Sequence, residues 1–223
     1  MKYVGIAVAC VSGHQFHLLA LCVSHVYSVY MTELSMPQKI IQAANRLLNK
    51  EGIDAVTMRG VAELVGVTPM ALYRHYADRA VLLNALADDG FLKLSALLKN
   101  KRITGTLENR LIKMAEIYLD LSLENPKLFE LMFLTKRAGA RVYPRDFTAR
   151  SSPTATLVAD ALENGMTDGE LKKDDHWEIC FELGALTHGL IMLYIGERIE
   201  MSADEFRALY RRSIRRHIHG IQK

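Results

Sequence analysis

Residues 57–83 read TMRGVAELVGVTPMALYRHYADRAVLL, and a few small residues in this stretch decide the fold. Thr57 offers an N-cap. Met58, Val61, Ala62, Leu64 and Val65 give the apolar stripe of a short helix that Gly66 stops. Thr68 and Pro69 restart the chain with a cap and a first-turn proline, leading into a second helix over residues 70–75. Two closely crossing helices need a small residue on the inner face of the first, a turn residue tolerant of left-handed dihedrals, and an apolar anchor on the second. Ala62, Gly66 and Leu72 stand where those demands fall. A helix-turn-helix presents the N-terminal part of its second helix to the DNA major groove, which makes Thr68, Met70, Ala71, Tyr73 and Arg74 the exposed candidates. An ordinary helix pair closed by a glycine cap satisfies the Ala62–Gly66 spacing equally well. The continuation separates the two readings. Tyr73, Arg74, His75 and Arg79 gather where one helix ends and the next begins, and hydroxyls, imidazoles and helix-terminal amides are groups that hold phosphates.

Outward from this stretch, the pattern stays helical. Ile40, Ile41, Ala44, Leu47 and Leu48 form one face of a helix over residues 37–50, with Pro37 in its first turn and Gly52 just past its end. Asp78 caps a long helix that is expected to end near residue 101. Further helices are expected over residues 107–124, 126 to about 137, 153–164, 176–199 and 203–217, with a loop at 139–144. Only five prolines and no alternating β-branched runs argue against sheet. The expectation is an all-α chain: a three-helix DNA-binding domain at 36–83 and a larger helical ligand-binding and dimerisation domain at 84–223.

The net charge of +3 advertises no nucleic-acid partner globally, so any DNA contact must come from a local patch. Cys10, Cys22 and Cys180 are an odd number at unrelated positions, which is no disulfide framework and fits a reducing cytoplasm. Residues 1–30 carry one charge, Lys2, together with Cys10, Cys22, His14, His17 and His25. As a signal peptide this leader lacks a defined cleavage site, and as a membrane span it is interrupted by histidines and serines. The favoured reading of residues 1–35 is a leader upstream of a true start at Met31 or Met36. The cysteines and histidines in it fit no trusted zinc spacing, so no metal and no cofactor is expected.

Residues 40–86 resemble the DNA-binding domain of the tetracycline-repressor (TetR) family of bacterial regulators. The resemblance is carried by IQAA at 41–44, LNKEG at 48–52, TMR at 57–59, VAELVGVT at 61–68, ALYRHY at 71–76 and the Leu82–Leu83 pair. It implies that Thr68, Tyr73, His75 and Arg79 grip phosphates, that Arg59 reaches the backbone or a base edge, and that Met70, Ala71 and Arg74 face the groove floor. Tyr76 is expected as an aromatic tucked under the recognition helix. Arg79 is a departure, since the family usually carries lysine there; either side chain can hold a phosphate.

In this family the larger domain forms a dimer and holds an inducer. Residues 118–133 and the ALTHGL run at 185–190 resemble a subgroup written with a Trp-His-Gly signature, whose first element is not matched. From the residues themselves, Tyr118, Phe129, Met132, Phe133, Trp177, His188, Met192 and Tyr194 are aromatic, thioether or imidazole groups on apolar helices, suited either to a ligand wall or to plain core. The first seven, without Tyr194, are the ligand-binding candidates. Helices 153–164 and 177–199 are the dimer candidates, with Thr154, Leu157, Val158, Ala161 and Leu162 as an apolar stripe and Ala155, Ala159, Gly184 and Ala185 permitting close approach. Arg207, Arg211, Arg212, Arg215 and Arg216 read as a solvated face, with a second nucleic-acid surface as the alternative. No phosphate-binding loop, nucleophile elbow or metalloprotease pair occurs, and Asp88–Asp89 and Asp174–Asp175 are adjacent pairs that point apart or cap helices. The expected function is a cytoplasmic homodimeric repressor, released from a palindromic double-stranded DNA operator by a small-molecule effector, with no membrane partner. The alternatives are a regulator tethered through residues 1–30 and a helical enzyme.

Overall fold

A computed structural model describes residues 34–100 and 103–222. Residues 1–33, with the leader's cysteine and histidine cluster, lie outside the described residues. The fold among them is all-α. Helix α1 spans Met36–Glu51, α2 Met58–Val65, α3 Pro69–Tyr73, α4 Arg79–Asn100, α5 Leu107–Glu124, α6 Pro126–Phe133, α7 Arg145–Thr148, α8 Pro153–Thr167, α9 His176–Ile195 and α10 Ala203–Ile221. A 3-10 turn over Ile53–Ala55 links α1 to α2.

Caps explain most of these boundaries. Thr57, Thr68, Thr106, Ser152, Asp175 and Ser202 each accept a backbone N–H of the first turn with a side-chain oxygen. Ser202 and Glu205 complete a reciprocal capping box. Several helix ends differ from the sequence reading: α3 stops at Tyr73, not at 75, and α8 runs through Gly165 to Thr167, not to 164. Helix α6 stops at Phe133, not near 137, because the Arg137 guanidinium turns back to donate to Leu131 O and Met132 O, both at 3.1 Å. Helix α9 stops at Ile195, where Gly196 N–H bonds Met192 O and Glu197 takes a positive φ of 55°. Helix α10 runs on to Ile221, held by Lys172 N–H to Ile221 O at 3.0 Å and by an antiparallel bridge between Leu171 and Gln222.

Residues 39–223 form one compact unit, so the expected boundary at 83/84 falls inside the continuous helix α4. The larger core joins Leu107, Leu111, Phe129, Leu162, Trp177, Leu183, Phe206, Tyr210 and Ile214 from α5, α6, α8, α9 and α10. A second cluster, Leu94, Leu98, Met114 and Ile117, ties α4 to α5 and takes Leu157 and Val158 of α8 against it. Most of the expected dimer stripe is therefore internal: Leu162 is fully buried in the core, as is the small residue Ala159, and Leu157, Val158 and Ala161 pack against these clusters. At Gly165 a Cβ would collide with the Leu107 side chain, so only glycine lets α8 approach the start of α5 this closely.

The arginine run on α10 is an ion-pair ladder. Arg207 pairs with Asp120 at 2.6 Å, Arg211 with Glu116, and Arg215 with Glu108 at 2.8 Å, while His219 reaches Glu108 at 2.9 Å. The four basic residues recur every four positions, one row along α10 facing α5. That row is committed to protein carboxylates, leaving Arg212 and Arg216 exposed. The Arg215 hydrogen bond, with help from His219, holds the Glu108 carboxyl below its ordinary 4.5. The stabilisation is therefore present above that ordinary value and is lost as pH falls through the lowered one. Glu108→Gln is expected to melt below wild type at pH 7, and the gap should narrow as pH falls through the lowered carboxyl value, where the wild-type side chain becomes neutral too. A gap that persists unchanged into strongly acidic solution would remove the ladder as its cause.

Candidate DNA-contacting face and ligand cavity

The helix-turn-helix geometry rests on a small set of local contacts. Thr57 Oγ1 accepts from Gly60 N at 3.0 Å and starts α2. Gly66 ends it in the left-handed region, φ 79° and ψ 34°, with its N–H shared between Ala62 O and Glu63 O, while Val67 N–H also bonds Ala62 O. This double return onto the last turn is why a glycine stands there. Ala62 and Val61 are fully buried, as is Leu72, the single buried residue of α3. His75 N–H and Tyr76 N–H both bond Leu72 O, closing the helix end. Asp78 Oδ1 then accepts Val81 N at 2.8 Å and starts α4.

Most of the sequence-nominated DNA residues are presented to solvent. Arg59 is exposed in the first turn of α2, Met70 is 69% exposed and Tyr73 47%, and Arg74 and His75 follow, also exposed. Ala71 is half-buried, and Tyr76 is half-buried beside α3, where burial raises its phenol above the ordinary value. Thr68 caps α3 by accepting Ala71 N at 3.2 Å, which leaves its hydroxyl proton to donate outward. Arg79 differs from the reading given to it. Its Nε donates to Val56 O at 2.7 Å and its Nη2 to Ile53 O at 2.6 Å, so the guanidinium clamps the 3-10 turn to the start of α4. Two of its donors are thus unavailable to a phosphate, and it acts as a positioning group for the module.

A cavity of about 470 Å³ lies in the larger helical layer, within the usual 300–1,000 Å³ range of small-molecule sites. Phe91, Leu94 and Leu98 of α4 form one wall, and Leu111, Met114, Ala115 and Tyr118 of α5 another. Helix α6 adds Met132 and Phe133, the linking segment adds Arg137, Ala140, Arg141, Phe147 and Ser152, and α8 adds Thr154, Ala155 and Val158. Helix α9 closes it with Cys180, Phe181, Leu183, Gly184, Ala185, Thr187 and His188.

Of the seven nominated ligand residues, Tyr118, Met132, Phe133 and His188 line this space. Phe129 stands behind it, its ring stacked on His188 with centroids 5.0 Å apart. Trp177 and Met192 do not line it. Trp177 is buried in the core beneath the Arg150 guanidinium, and Met192 packs on the same core. Tyr194, the further aromatic, faces Phe206 in parallel at 4.0 Å. The sequence reading missed Arg137, Arg141, Phe147 and Ser152, which sit on a segment with little periodicity to place them.

The polar chemistry of the cavity is sparse. Tyr118 Oη lies 2.9 Å from His188 Nδ1. Burial raises the Tyr118 phenol well above its ordinary value and lowers His188, so at neutral pH a protonated phenol meets a neutral imidazole. Cys180, whose Sγ donates to Ala155 O at 3.5 Å, is pushed up to about 12 by burial and stays a thiol.

Comparison with known proteins agrees with this arrangement. Residues 40–86 match the family described as bacterial regulatory proteins, tetR family, and residues 111–217 match the tetracyclin repressor-like C-terminal domain. YobS of Bacillus subtilis (strain 168), an uncharacterized HTH-type transcriptional regulator, is 24% identical over 177 residues, 79% of this chain and 88% of its own. The class A tetracycline repressor from transposon 1721 of Escherichia coli is 47% identical, but over 58 residues only, 26% of each chain. Among solved structures, a protein of unknown function from Rhodococcus sp. RHA1 aligns with a TM-score of 0.72 at 21% identity, covering 87% of this chain and 98% of that one. A TetR variant from Acinetobacter baumannii AYE in complex with minocycline aligns at 0.60 and 22% identity, covering 84% and 96%. With both its DNA-binding and its C-terminal helical regions matched, the chain belongs to the TetR family of DNA-binding transcriptional regulators.

Proposed function

We infer that the protein is a homodimeric repressor that leaves a palindromic operator when a small molecule fills the cavity. The observation that carries this reading is helix α4. Its first residue clamps the helix-turn-helix module, and one face of its later turns, Phe91, Leu94 and Leu98, is cavity wall. A ligand that displaces that wall moves the base on which α3 is mounted. The effect is a population shift: the ligand favours a separation of the two recognition helices that no longer matches about 34 Å, one turn of DNA.

The dimer reading is supported by α9. It is the one helix among the described residues long and apolar enough to cross a membrane, yet it packs against α5, α8 and α10. Phe181, Gly184, Ala185 and Leu193 remain exposed on it, an apolar, small-residue surface suited to a second copy. The His188–Gly189 step supports the Trp-His-Gly subgroup within the family. The proposed role is non-catalytic and cytoplasmic, where an operator is reached.

Footprinting on the DNA flanking the protein's own gene tests the reading. The expected result is a protected palindrome whose protection weakens with effector; an unbroken footprint under ligand saturation would overturn release. Tyr73→Phe is expected to lower affinity roughly five- to tenfold on every sequence, as the loss of one phosphate hydrogen bond requires. A change of preference at one base pair would instead put Tyr73 on a base edge.

A further inference from the structure

The cavity is not uniformly apolar, and its polarity runs along α4. At the Leu94–Leu98 end the wall is aliphatic and thioether, continuous with Met114 of α5. One to two turns earlier, about 10 Å from Leu98, Arg141 lies over the Phe91 ring, with its guanidinium carbon 4.9 Å from the centroid. Arg137 lies beside it on the same segment, and both line the cavity.

These two cations share one nearby carboxylate of their own. Asp88 Oδ1 is 3.2 Å from Arg141 Nη2, but neither that oxygen nor the buried Arg141 Nη1 completes a hydrogen bond among the described residues. Arg141 Nε donates to Ser151 O at 2.8 Å. Arg137 gives its donors to Leu131 O, Met132 O and Asn84 Oδ1, all neutral acceptors. Asp146 stands near, held by its own partner Arg145. The two guanidiniums thus face one carboxylate in ion-pair range, Asp88, which reaches Arg141. Burial and the neighbouring Arg141 both hold Arg137 below the ordinary guanidinium value, while Asp88 opposes that shift. An excess cation at the end of an apolar chamber is costly unless an anion meets it, and an enclosed donor without an acceptor needs one.

We propose that the effector is an amphipathic organic anion: an apolar or aromatic body lying between α4 and α5, with a carboxylate-like head that engages Arg141 in place of Asp88. This rests on the reading of the cavity as the effector site and adds the chemical class that site selects. The Arg141–Asp88 contact is the element the head displaces. Asp88 is on α4, so exchanging its partner acts directly on the helix that carries the DNA-binding module.

The test uses two fluorophores with one skeleton, 1-anilinonaphthalene-8-sulfonate and neutral N-phenyl-1-naphthylamine, titrated into the full chain. Each should bind once per protomer, with the sulfonate form tighter despite its stronger hydration. Arg141→Gln should weaken the sulfonate about tenfold and leave the neutral probe within about twofold. Asp88→Asn, which removes the competing carboxylate, should tighten the sulfonate, and this opposite sign cannot come from misfolding. Equal or tighter binding of the neutral probe would overturn the anion class while leaving an effector cavity. Binding of neither probe would overturn the cavity as effector site. A preference for the sulfonate that both variants leave unchanged would place the anion elsewhere and overturn the assignment to Arg141.

Discussion

Leu72→Ala is expected to destabilise the DNA-binding module by about 2–5 kcal/mol and to abolish operator binding at concentrations where wild type is saturated. Leu72 is fully buried and is the one buried residue of a five-residue helix. A helix that short has no stability of its own, so its orientation depends on tertiary anchoring. Truncation leaves a void beneath α3, which packs against α2, where Val61 and Ala62 are fully buried too. The exposed residues Tyr73, Arg74 and His75 would still be present but no longer held at one angle to the groove. Urea unfolding and DNA titration measure the two effects, and Leu72→Met, close in volume, should retain most of both. Operator binding by Leu72→Ala at wild-type strength would show that α3 is not held through this side chain. Probe binding in the cavity should persist, because no cavity residue lies on α2 or α3.

Phe206→Ala is expected to act differently, costing about 3–5 kcal/mol and both activities together. Phe206 is fully buried, and its ring lies 4.0 Å from that of Tyr194 with 5° between planes. Tyr210, one turn on, is fully buried and donates to Ala115 O at 3.1 Å. This packing joins α10 to α9 and α5, two helices that supply cavity wall. The expected fall in thermal midpoint is roughly 10 °C, the scale for a loss of this size in a unit of nearly 200 residues. Calorimetry and the fluorophore titration check it together. A midpoint within about 2 °C of wild type would mean that the layer closes over the vacancy.

The helix-turn-helix was legible in the sequence because its determinants are local. Gly66 reports a left-handed turn, Thr57, Thr68 and Asp78 report helix starts, and Leu72 reports the anchor, each acting within a few residues. The clamp made by Arg79 was not legible, for the complementary reason. Its partners, the carbonyls of Ile53 and Val56, lie more than twenty residues upstream on a 3-10 turn without a sequence signature.

The cavity was only partly legible. Helix α9 is apolar on nearly every side, so its periodicity does not distinguish the face toward the cavity from the face toward the core. His188 fell on one and Trp177 and Met192 on the other. Arg137 and Arg141 sit on a linking segment, where no pattern announces that a side chain turns inward.

What the sequence by itself determined is the helical class, the caps, the helix-turn-helix and the family, since those are written in short-range spacing. What only the tertiary structure decided is which of many similar apolar side chains enclose empty space, which arginine is clamped inward, and where two cations share one carboxylate. Those outcomes depend on packing between residues far apart in the chain, where each contact is set by the placement of several helices at once.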